Sequence, residues 1–150
     1  MKLFTVLLCI CFFISTIYAG CSIKTPYADT TWYGGQNGNV SWEEDNVNPP
    51  LTSMGDCCLI DLLIGNFVKA STLATCVKCT ETFFSCPIPT NIGPPSNAYF
   101  IKFYNNDTNN PYAAYSHTFS IQNVNGSVQG FDPNNPSQPG TTDSASNTTQ

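Results

Sequence analysis

Arginine is absent from this 150-residue chain, histidine occurs once, and charged residues of any kind make up only 10% of it. Of the five lysines one stands at position 2. Ten acidic residues give the whole chain a net charge of −5, and the portion beyond residue 19, with Lys24, Lys69, Lys78 and Lys102, a net charge near −6. A nucleic-acid partner needs a cationic surface that displaces counterions, and an anionic bilayer needs a polybasic patch; both are excluded. No Gly-x-Ser-x-Gly is present, so the nucleophile elbow of a hydrolase is missing. No stretch beyond residue 20 carries a convincing helical period.

The chain begins with Lys2 followed by an apolar run that closes on Ala19 and Gly20. That layout is a secretory signal peptide over residues 1–19, with the cut after Ala19. Tyr18-Ala19-Gly20-Cys21 also resembles a bacterial lipoprotein box. However, Tyr18 stands where Leu is usual, and lipidation of Cys21 would leave an odd number of thiols. Cleavage removes Cys9 and Cys11 and leaves Cys21, Cys57, Cys58, Cys76, Cys79 and Cys86. An even set in a small exported chain reads as three disulfides, with the pairing open. Adjacent strand residues face opposite ways, so Cys57 and Cys58 are expected to take different partners.

Polar–apolar alternation marks the strands. Asn39 to Glu43 alternates, as do Tyr99, Ile101 and Phe103 against their neighbours, and Tyr115, His117, Phe119 and Ile121 against theirs. Cys58 to Ile64 is more apolar, a central strand with one polar gap at Asp61. Gly34-Gly35, Asn37-Gly38, Asn48-Pro49-Pro50, Gly93-Pro94-Pro95 and Asn109-Asn110-Pro111 separate these runs as turns. About seven strands over residues 20–124 predict an all-β, disulfide-stapled sandwich of immunoglobulin or fibronectin type. Residues 66–80 fit a strand, a loop or a helical turn equally well. Residues 125–150 contain one aromatic, Phe131, among Ser, Thr, Asn and Pro; such a composition predicts a disordered tail. No hydrophobic stretch follows, so no GPI anchor is expected.

Two stretches resemble a known family. One runs Ile23-Lys24-Thr25-Pro26, Thr31-Trp32-Tyr33-Gly34-Gly35-Gln36, Val40-Ser41-Trp42; the other Ala98-Tyr99-Phe100-Ile101-Lys102-Phe103, Tyr115-Ser116, Phe119-Ser120-Ile121. In order and spacing they are similar to the N-terminal domains of fungal Ser/Thr-rich GPI-anchored proteins related to yeast cell-wall-synthesis (killer-toxin-resistance) proteins. Phe84-Ser85-Cys86-Pro87 sits where that family shows Trp-Thr-Val-Pro. The chain departs from the family in lacking its C-terminal anchor and in carrying six cysteines. The resemblance implies a non-enzymatic protein of the cell surface or wall, concerned with wall glucan. An effector-like secreted interaction protein on the same fold is the alternative.

Candidate chemistry is sparse. Cys76-x-x-Cys79 has the spacing of a redox pair or half a zinc site, but structural disulfides are the expectation in an oxidising space. Glu43, Glu44 and Asp45 are adjacent, which does not supply two carboxylates across a cleft; a solvated strand edge is expected. His117 has no evident nucleophile to serve, and no metal or cofactor is expected. Asn39, Asn106, Asn125 and Asn147 head N-glycosylation sequons. Trp32 and Tyr33, with Phe100, Tyr104 and Tyr112 behind them, are candidates for stacking on sugar rings, which would make wall polysaccharide or a surface protein the partner.

Overall fold

The structure, a computed structural model, describes residues 20–109 and 111–136. The expected leader, residues 1–19, and the tail 137–150 with the sequon at Asn147 lie outside the described residues. Nine strands form among the described residues: β1 (Cys21–Thr25), β2 (Thr31–Tyr33), β3 (Asn37–Glu44), β4 (Cys58–Ile64), β5 (Val68–Val77), β6 (Phe83–Pro87), β7 (Ser96–Asn105), β8 (Ala113–Tyr115) and β9 (Phe119–Gln122). The sole helical element among the described residues is a 3-10 turn at Leu51–Ser53.

The strands make two sheets. One has the order β1-β3-β6; the other has β2-β9-β7-β4-β5, with β8 also on β7. Taking β1, β3 and β6 as the first sheet of an immunoglobulin-like sandwich, and β4, β7 and β9 as the second, β5 is the added strand of variable-type domains. All pairings are antiparallel except β2 on β9, which is parallel. The hinge from β1 to β2 falls at buried Pro26, which has no N–H for a ladder and so ends β1.

Inward residues follow the sequence alternation. Val40 and Trp42 of β3 meet Tyr99, Ile101 and Phe103 of β7, Phe119 and Ile121 of β9, and Ile60, Leu62 and Ile64 of β4. The rings of Trp42 and Phe103 lie 4.7 Å apart between the sheets. Each such side chain stabilises by about 1.5–3 kcal/mol on burial, so this layer holds the sandwich together without a covalent link across it. Tyr99 adds the tyrosine corner of this fold: from the start of β7 its hydroxyl donates back to Pro94 O at 2.8 Å.

Three expectations are corrected and one open alternative is resolved. First, residues 115–122 are not one strand. Ser116 Oγ accepts from Ile101 N and donates to His117 O, taking a ladder position with a side chain. Pairing stops there, β9 begins at Phe119, and the phase shifts: Ala114 is buried while Tyr115 and His117 are exposed. Second, residues 68–77 are a strand, hairpinned onto β4 with three register irregularities that blurred its period. Third, the domain does not end at 124. Asn125 N donates to Thr90 O and Gly126 N to Gly93 O. Phe131 is buried against Gly65, where a Cβ would stand 2.8 Å from its ring. One aromatic with a prepared place anchors residues 125–136.

The last correction concerns the cysteines. Two disulfides form, Cys57–Cys76 and Cys58–Cys79. The neighbours Cys57 and Cys58 do take different partners, whereas Cys21 and Cys86 are free thiols. Cys21 pairs in register with Glu44 and Cys86 with Gly38, both along β3. Six residues of strand put them roughly 20 Å apart, far beyond the ~7 Å Cα separation a disulfide tolerates.

Candidate functional site

The outer face of the six-stranded sheet is where this surface concentrates chemistry. Outward positions of β4 and β7 are Leu59, Asp61 and Leu63 beside Tyr104, Lys102 and Phe100, in direct register. At one end of this face three rings gather. Phe67 lies 5.2 Å from Phe100 and 5.6 Å from Tyr115, both edge-on, with Phe100 and Tyr115 6.3 Å apart. Between them is an open hollow of about 280 Å³, with Ser116 and Thr118 on its rim. No lining residue carries a formal charge.

Phe67 is presented by the β4–β5 turn. Gly65 and Phe67 both have positive φ, 57° and 58°. A bulky side chain there is uncommon and costs of order 1 kcal/mol or more. The fold holds Phe67 in that conformation with 64% of its surface exposed. Tyr115 is 45% exposed, while Phe100, in ring contact with both, is buried.

The other end of the face is polar and closed upon itself. Buried Asp61 accepts from Thr72 Oγ1 at 2.8 Å and Tyr104 OH at 3.1 Å, and pairs with Lys69 at 3.0 Å. Lys102 lies 4.2 Å above the Tyr104 ring. Burial and the Asp61 carboxylate raise the Tyr104 phenol above its ordinary pKa. The polar gap in β4 is thus a saturated cluster that orients β5 and Tyr104.

A second hollow, of about 430 Å³, opens between β1 and residues 113–117, with Cys21, Asp45 and His117 in its lining. It does not make an activated thiol. Cys21 is 2% exposed and takes a hydrogen bond from Tyr112 OH at 3.2 Å. Burial pushes its pKa up to about 11, the opposite of the depression a nucleophilic cysteine needs. His117 is exposed and meets Tyr27 edge-on at 4.5 Å.

The expected sugar-stacking residues scatter. Trp32 is 5% exposed, packed edge-on to Phe119 at 4.6 Å, and belongs to the core. Tyr33 is exposed at the end of β2, away from the three rings in the strand order. Tyr112 is buried, with its hydroxyl on the backbone of Cys21. Phe100 and Tyr104 do lie on the outer face. Phe67 escaped notice because a lone aromatic in a turn carries no periodic signal. Tyr115 is hidden by the alternation itself, which places it on one face with the inward Phe119 and Ile121.

Cys76 and Cys79 bond to separate partners, so their spacing is not that of a redox pair. Among the described residues no group of His, Cys, Asp and Glu is arranged to hold a metal ion. In the acidic run, Glu43 pairs with Lys24 at 2.6 Å, Glu44 accepts from Leu51 N at 3.0 Å, and Asp45 accepts from Val47 N at 2.9 Å; their partners diverge. Asn39, Asn106 and Asn125 are exposed. No helix among the described residues is long and apolar enough to cross a membrane. Neither a protein-family model nor a curated protein sequence matches this chain.

Proposed function

We propose that this is a secreted, non-catalytic recognition protein of the fungal cell surface, and that the Phe67–Phe100–Tyr115 hollow takes a neutral polysaccharide chain, a β-linked wall glucan. The exposed Phe67, held at positive φ beside two further rings, is the observation that carries the reading. Contiguous exposed apolar surface of this kind marks interaction sites. An uncharged lining with hydroxyls on its rim suits a polyol better than an ion. The resemblance to fungal wall-synthesis proteins and the leader support the location; two disulfides fit an oxidising compartment.

Retention on insoluble β-glucan tests it. Phe67→Ala is expected to weaken retention by about tenfold, the scale of one lost aromatic contact, while the protein stays folded, since the core beneath the sheet is untouched. Equal retention of Phe67→Ala and the parent protein removes this site. A protein ligand is the second reading, favoured by the edge-on rings, which form no flat platform and resemble an apolar interface centre. Phe67-dependent complex formation without glucan retention would support it.

A further inference from the structure

Glu44, the last residue of β3, has one carboxylate oxygen satisfied and one not. Oε2 accepts from Leu51 N at 3.0 Å. Oε1 is buried and is the sole such side-chain oxygen or nitrogen, among the described residues, with no hydrogen-bond partner. An unpaired buried carboxylate oxygen is costly, and folded proteins supply a donor. The nearby cation does not serve: Lys24 is engaged by Glu43. Lys69 and Lys102 are held on the other sheet.

The chain's own residue 20 arrives at this place. Cys21 is the register partner of Glu44, and Asp45 N donates to Gly20 O at 3.5 Å. Gly20 is buried, and a Cβ on it would stand 1.7 Å from Pro49 O and 3.1 Å from Met54 Cε. Leu51, the donor to Glu44, lies between those two residues. Gly20 and the Glu44 carboxylate therefore meet the same 49–54 turn.

We propose that maturation cuts the Ala19–Gly20 bond and that the freed Gly20 α-ammonium is the missing donor to Glu44 Oε1. In the hydrolysis, by a signal peptidase, water adds across the amide. The Ala19 carbonyl takes the hydroxyl and the Gly20 nitrogen takes the proton, then a second from solvent. An uncharged peptide N–H with one fixed direction becomes a charged group with three donors. A cut one residue later would delete the acceptor of Asp45 N. A cut earlier would leave an uncharged peptide nitrogen at residue 20. The inference rests on the leader and is independent of the ligand of the aromatic hollow.

Mass spectrometry of the secreted protein is expected to give Gly20 as the first residue; a start at any other residue overturns the assignment. The pairing is tested by Glu44→Gln in two backgrounds, the chain starting at Gly20 and the same chain with Ala19 retained. Gln keeps an acceptor for Leu51 N. In the first background the substitution should lower the folded-to-unfolded ratio roughly tenfold to a hundredfold, the scale of a lost charge-assisted hydrogen bond. With Ala19 retained the change should be about threefold or less. An equal effect in both backgrounds overturns the pairing. Should Glu44→Gln fail to fold, acylation of the Gly20 amine in the parent protein decides: at least tenfold protection relative to the Ala19 amine of the extended chain supports the pairing, and equal rates refute it.

Discussion

The Tyr99 hydroxyl crosses a passage so narrow that a Cβ on Gly93 would stand 2.3 Å from it. Beyond it lies Pro94 O, its acceptor. The ring is fully buried, and the bond it makes lies at the half-buried rim of the core. Tyr99→Phe is expected to lower stability by about 1–3 kcal/mol, read as a shift of the urea midpoint with the slope unchanged. The alternation of residues 99–103 in the sequence showed that Tyr99 points inward. That its oxygen ties down the turn before β7 depends on chain path and has no sequence period. Gly35 is a simpler case: it takes φ 83° in the β2–β3 turn, its N–H bonding Ile88 O, and the Gly34-Gly35 pair already marked a turn.

At the scale of elements, the β4–β5 hairpin carries both disulfides, and they divide its work. Cys58–Cys79 is buried at both ends, and Cys79 O accepts from Trp42 Nε1 at 2.8 Å, joining the far end of β5 to the opposite sheet. Cys57–Cys76 is exposed at both ends. The closed loops span 19 and 21 residues, so the loop entropy each removes is nearly equal. A difference between them measures burial and the Trp42 contact. Replacing Cys58 and Cys79 together by Ala should cost about 2–5 kcal/mol, measurably more than the same change at Cys57 and Cys76. Denaturant unfolding of the two double variants, beside a count of two reactive thiols in the denatured parent, checks both points. The adjacency of Cys57 and Cys58 foretold separate partners. The failure of Cys21 and Cys86 to pair was invisible, because it follows from where β1 and β6 stand along β3.

For the molecule as a whole, stability at high pH follows from what the core buries. Burial raises the Cys21 thiol from 9.0 to about 11 and the Tyr99 phenol from 10.0 to about 12; Tyr112 moves the same way for the same first reason. Each group is neutral when protonated, and the folded state holds the proton more tightly than the unfolded chain. The stabilisation is complete below pH 9 and is lost as pH rises through 11 and then 12. For Cys21 the separation corresponds to roughly 2–3 kcal/mol. Urea midpoints should therefore fall from pH 9 upward. Cys21→Ala should flatten the 9–11 portion and leave the later fall; a flat profile in the parent protein would contradict the burial of these groups.

Composition and period-two alternation determined the all-β class, the turns, the central strand with its polar gap, and the inward residues Val40, Trp42, Tyr99, Ile101, Phe103, Phe119 and Ile121. These signals are local: each depends on which face of one strand a residue occupies. Tertiary structure alone decided that Trp32 is core, that Phe67 and Tyr115 join Phe100 around a hollow, that Phe131 fills the space at Gly65, and that two cysteines never meet. Those outcomes depend on distances between strands far apart in the chain, and pairing across a sandwich leaves no mark in the spacing along it.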